Sequence, residues 1–82
     1  MDIYEFIHNY GYKDLQGKQI DVCGEICFIN ERFFTPEEIR EHIDIECRIK
    51  QGRKPYFRLY GGATPNTDLV RWIYPTCEVI NE

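Results

Sequence analysis

The sequence predicts an α+β fold: a small twisted antiparallel sheet of four to five strands with one or two short helices. A small curled β-barrel is the alternative. Three observations point there. The chain is 82 residues with 43% hydrophobic and 29% charged residues, which is globular composition and one small domain, 1–82. Its apolar content is β-branched and aromatic, with eleven Ile, six Tyr and five Phe against one Ala, so strands should outweigh helices. Stretches of alternating polarity are separated by Gly and Pro signals. A sheet this small must cover one face with helices or close on itself.

The first element reads as a helix. Asp2 caps it, Glu5 stands three residues on, and Ile3, Phe6, Ile7 and Tyr10 fall on one face, with Gly11 as the stop. KQIDVCGEICFIN alternates and reads as one strand with a bulge at Gly24. Ile20, Val22, Ile26 and Phe28 then point one way, and Asp21, Cys23, Glu25, Cys27 and Ile29 the other. FTPEEI is the sharpest local signal: Thr35 as N-cap, Pro36 at the first helical position, Glu38 closing a capping box, and Phe34 with Ile39 as a hydrophobic staple. From Ile43 the pattern Ile43, Ile45, Cys47, Ile49 against Asp44, Glu46, Arg48, Lys50 predicts a strand, so the helix is expected over about 36 to 42. Gln51, Gly52 and Arg53 form the turn of a hairpin, PYFRLYG is the return strand, ATPNT is a loop, and LVRWIYPTCEVI is one kinked strand or two short ones around Pro75.

In that reading RIKQGRKPYFRLY is the feature of interest. Residues 48 to 58 carry five of the ten basic residues and none of the fourteen acidic ones. Ile43, Ile45, Cys47, Ile49, Phe57 and Leu59 are expected to face inward. Pairing Arg48 with Tyr56 and Glu46 with Arg58 gives the favourable outer-face register. The candidate binding residues are Arg48, Lys50, Arg53, Lys54, Tyr56, Arg58 and Tyr60, joined by Arg71 and Trp72 from the tail. Rings and cations on a sheet have the composition of a single-strand stacking platform. They equally make a solvated face, or a protein-contact face with aromatic and Arg anchors. The acidity of the rest of the chain favours the latter, because nucleic-acid binders are basic domains.

Other chemistry has weaker support. Cys23, Cys27, Cys47 and Cys77 with His8 and His42 are zinc-ligand types, but Cys23 and Cys27 on one strand would lie about 13 Å apart, too far for one ion. No metal and no cofactor is expected. Serine is absent, which removes serine hydrolases; Cys47 and His42 do not define a dyad. His42 reads as a helix-end histidine and His8 as solvated. GGATP lacks the phosphate-loop pattern. No apolar run is long enough to cross a bilayer. The acidic N-terminus MDIYEFIHNYGYKD does not read as a signal peptide. A cytoplasmic protein with reduced thiols is therefore expected.

The expectation is a small non-enzymatic binding protein that modulates or inhibits a macromolecular partner, foremost a protein. One route is blockage of a nucleic-acid-handling enzyme, with Asp21, Glu25, Glu31, Glu37, Glu38 and Glu41 offered to a basic groove. Single-strand nucleic-acid binding through 48–60 is the second reading, and a zinc or redox module the third. An edge strand would offer a homodimer contact. Ile-rich, Ala-poor usage agrees with an AT-rich bacterial or phage genome.

Overall fold

Residues 1–30, 35–65 and 71–80 are described in a computed structural model. The elements are α1 (Ile3–Tyr10), a 3-10 turn (Tyr12–Leu15), β1 (Gln19–Val22), β2 (Glu25–Ile29), α2 (Pro36–Lys50), β3 (Leu59–Gly62), β4 (Arg71–Ile73) and β5 (Glu78–Ile80). All strands pair antiparallel in the order β4-β3-β2-β1-β5. The sheet is open, with β4 and β5 at its ends, so the barrel alternative does not hold and the α+β sheet does.

α1 starts as its cap dictates: the Asp2 carboxylate accepts the Glu5 N–H at 2.9 Å. Ile3, Phe6 and Ile7 are buried, whereas Tyr10, expected on the same face, is exposed. Gly11 donates its N–H to the Ile7 carbonyl and holds φ +104°, a region open to glycine. Its hydrogen side faces Glu46 of α2, so the helices meet where there is no side chain.

The segment read as one strand is a hairpin. Cys23 and Gly24 both take positive φ, 53° and 88°, between β1 and β2, as a two-residue turn of the twisting type requires. The Asp21 carboxylate accepts the Gly24 N–H at 2.8 Å. Two turn residues reset the alternation, so Ile20 and Val22 share the buried face with Cys27 and Ile29, and Ile26 is exposed. Reading Gly24 as a bulge kept the wrong phase beyond it.

The larger correction concerns residues 43 to 60, where no hairpin forms. α2 runs through Ile43, Cys47 and Lys50 to its end. The capping box forms as expected: Glu38 N–H donates to Thr35 Oγ1 at 3.2 Å, and Thr35 N–H to Glu38 Oε1 at 3.4 Å. The staple lies outside the described residues at Phe34. Once nucleated, a helix adds a hydrogen bond per residue, and nothing between Glu37 and Lys50 breaks it. Ile45 and Ile49 are buried one turn apart, with Glu38 and His42 half-buried on the same stripe. Asp44–Arg48 (3.0 Å) and Glu46–Lys50 (3.1 Å) are i,i+4 ion pairs, acid first. The alternation of Ile43 and Cys47 with polar neighbours is therefore incidental: both are exposed. The stop is Gly52, φ +85°. Its N–H reaches the Ile49 carbonyl (2.9 Å) and the Arg53 N–H reaches Arg48 (3.0 Å), the two bonds of a Schellman cap. Gly52 thus ends a helix where the hairpin reading gave it a turn between strands.

Phe57 and Leu59 do face inward. They join Ile3, Phe6, Ile7, Leu15, Ile20, Ile29, Ile45, Ile49 and Ile73 in one core between the helices and one face of the sheet. The shortest dimension of the molecule is 18 Å, enough for two layers and no third. The second face of the sheet is therefore open among the described residues. By register it carries Ile26, Phe28, Tyr60, Trp72 and Ile80, of which Ile26, Tyr60 and Trp72 are exposed.

Candidate functional site: an aromatic surface on β3 and β4

Residues 51–58 link α2 to β3 without regular structure, and contacts with α1 and the 3-10 turn anchor them. The Tyr4 hydroxyl donates to the Pro55 carbonyl at 2.7 Å. Phe57 packs edge-on to Tyr4 (centroids 5.9 Å, 84°) and against Tyr12 (6.1 Å). With Phe57 pinned inward, alternation turns Tyr56, Arg58 and Tyr60 to the opposite side. There they meet β4 and its continuation. Tyr60 sits opposite Trp72 in register, with ring centroids 4.9 Å apart. Tyr56 lies 6.3 Å from Tyr74. The Arg58 guanidinium carbon stands 4.0 Å from the Trp72 ring centroid, a stacked cation–π contact. Tyr56 is 73% exposed and Trp72 44%, so the group is a surface feature.

A cleft of about 340 Å³ opens beside these rings toward α2, where Glu38, Glu41, His42 and Ile45 line it together with Tyr12. Its wall is the His42 imidazole stacked on Tyr12, 4.3 Å between centroids and 16° between planes. Burial lowers the His42 pKa, against the opposing pull of Glu41 and Glu38. The folded chain thus binds a proton at His42 less readily than the unfolded chain does. This contribution to stability is complete above the ordinary histidine pKa and falls away as pH drops through that value toward the lowered one. Stability measured by urea unfolding from pH 8 to 5 should decline more steeply in the native chain than in His42→Gln. Parallel curves would remove His42 as the source.

Of the residues picked from the sequence, Tyr56, Arg58, Tyr60 and Trp72 come together. Arg48 and Lys50 do not: they sit on α2, each bridged to a carboxylate one turn back. The pairings of Arg48 with Tyr56 and of Glu46 with Arg58 fall with the hairpin. Arg53 and Lys54 are exposed just after the helix, and Lys54 Nζ lies 5.9 Å from the Tyr4 ring centroid. Arg71 alternates away from Trp72 and pairs with Glu25, which raises its pKa. The acidic set is dispersed in its duties as well, since Asp21 holds the β1–β2 turn and Glu38 caps α2; Glu31 lies outside the described residues.

Tyr74 and His42 belong to the site and were missed. The period-two spacing of Trp72 and Tyr74, matching Tyr56, Arg58 and Tyr60, is the signal that finds Tyr74. His42 has no comparable signal, because its place depends on α2 continuing past it.

Among the described residues no group of three or more His, Cys, Asp or Glu is arranged to hold a metal ion. Cys77 is half-buried and its thiol pKa is pushed up, first by burial. No helix among the described residues is long and apolar enough to cross a membrane. Comparison with protein-family models, curated proteins and solved structures gives no significant match.

Proposed function

We propose that this chain is a non-catalytic binding protein whose β3–β4 surface docks a protein partner and modulates it. The observation that carries this reading is Arg58 stacked on Trp72 beside Tyr60, solvent-exposed on an open sheet face. Tyr, Trp and Arg are the residues that dominate binding energy at protein interfaces, and they do so when clustered on a rigid support. Here the support is a cross-strand pair, and the rings lose little conformational freedom on binding.

Single-strand nucleic acid ranks second. Stacking rings are present, but of the candidate cations Arg48, Lys50 and Arg71 each face a carboxylate, and Glu38 and Glu41 line the adjoining cleft. Charge at the site thus favours a protein partner.

Capture from a nuclease-treated lysate of the source organism, with a photo-crosslinker in place of Tyr56, tests the reading. One protein should crosslink, and Tyr60→Ala or Arg58→Glu should weaken its binding by about 2 kcal/mol or more, roughly thirtyfold. Nuclease-sensitive capture, or a complex indifferent to both substitutions in a folded chain, would assign the surface another role.

A further inference from the structure

The two ends of the sheet are unlike. At β5 the outer edge is occupied: Val79 N–H donates to the Met1 carbonyl at 2.9 Å, Asp2 bridges Glu78, and Ile3 N–H reaches the Pro75 carbonyl at 3.1 Å. At β4 no described residue pairs along the outer edge. Which backbone groups that edge presents follows from the ladder. Asn30 N–H donates to the Tyr60 carbonyl, so the Tyr60 backbone points to β2. Leu59 and Gly61 therefore bond Ile73 and Arg71, and the Trp72 N–H and C=O point outward. Arg71–Ile73 contains no Pro or Lys, and its one cation is paired with Glu25.

We infer that β4 pairs antiparallel with β4 of a second copy of this chain, about a two-fold axis at Trp72. This register is self-complementary. Trp72 of each copy donates to and accepts from Trp72 of the other, closing one hydrogen-bonded pair with both outward groups used. Arg71 falls opposite Ile73 of the second copy, so no like charges oppose each other. The Tyr60–Trp72 pairs of both copies line up as four rings across a continuous sheet, the cross-strand aromatic arrangement that stabilises such pairing. The contact is narrow, three residues wide, so the dimer is reversible and concentration-dependent. Strand addition uses the edge and leaves the ring faces open, so it does not depend on the proposed partner and is read without one.

Sedimentation of the pure chain from about 10 µM to about 1 mM should show a monomer–dimer equilibrium. Trp72→Tyr should keep it. Trp72→Lys, which sets two ammonium groups together across the axis, should weaken it at least about tenfold with an unchanged far-UV spectrum. The Trp72 amide should exchange with solvent at least about tenfold more slowly at the dimeric concentration than at the monomeric one. A chain monomeric throughout, a Trp72→Lys dimer as tight as the original, or a dimer whose Trp72 amide exchanges at the monomer rate each overturns the proposal.

Discussion

Gly61→Ala should destabilise the chain by about 3 kcal/mol or more, the upper range for forcing extra atoms into a packed interior. Gly61 is buried in β3, between Ile29 of β2 and Arg71 of β4. A Cβ there would overlap the Phe28 carbonyl oxygen and come within 2.6 Å of Ile73 Cδ1. The first obstacle is backbone and cannot swing aside; the second is the end of a fully buried side chain. Relief requires β3 to part from β2, which breaks the middle of the sheet. Ile73→Val deletes Cδ1 and tests the geometry: in the double variant, urea denaturation should show a loss smaller than the sum of the single losses. Simple additivity would mean that Ile73 is not the neighbour that matters. The conformation of Gly61 is not at issue, only the space beside it.

The second large effect belongs to Phe57→Ala, with an expected loss of about 3–5 kcal/mol for deleting a buried aromatic ring. A small domain has roughly 5–15 kcal/mol in all, so the variant should be at or near unfolding at room temperature. Phe57→Leu should retain most of the stability, since it keeps the site filled. The variant also reports on the surface. Phe57 is what fixes the irregular segment against Tyr4 and Tyr12, and its inward side chain is why Tyr56 and Arg58 face out. At a temperature where Phe57→Leu is folded, its Trp72 fluorescence should match the native chain. A folded Phe57→Ala with native Trp72 emission and native stability would show that the Arg58–Trp72 stack is held without this anchor.

Phe57 also marks how far the sequence can be read. The inward Phe57 and Leu59 and the outward Tyr56, Arg58 and Tyr60 were legible, because alternation is local and the segment is extended. So were both helix starts, where a cap needs only residues three positions apart. What failed is where two periods compete. Residues 43 to 50 satisfy a period of two by composition and a helical period by position, through Glu38, His42, Ile45 and Ile49. Only the second is compatible with an uninterrupted start at Thr35 and a stop at Gly52. The β1–β2 hairpin was lost for a related reason: Cys23 in a left-handed conformation is uncommon, so Cys-Gly carries little of the turn signal of Asn-Gly. The site was half legible. Its sheet residues follow from alternation, but His42, Glu38 and Glu41 reach it only through a helix that the alternation had cut short.

The placement of β5 bears on the order in which the molecule can be made. Its last strand lies between β1 and the first two residues, with Met1 bonded to Val79 and Ile3 to Pro75. As the chain leaves the ribosome, α1 and the β1–β2 hairpin can form early from neighbours in sequence. The anchoring of residues 1–3 must wait until residues near 80 have emerged. Pairings that span so much of a chain are slow to close. The free flank of β1 is therefore a nascent-chain hazard, exposed from the time β1 is made until residues near 80 have emerged to cover it.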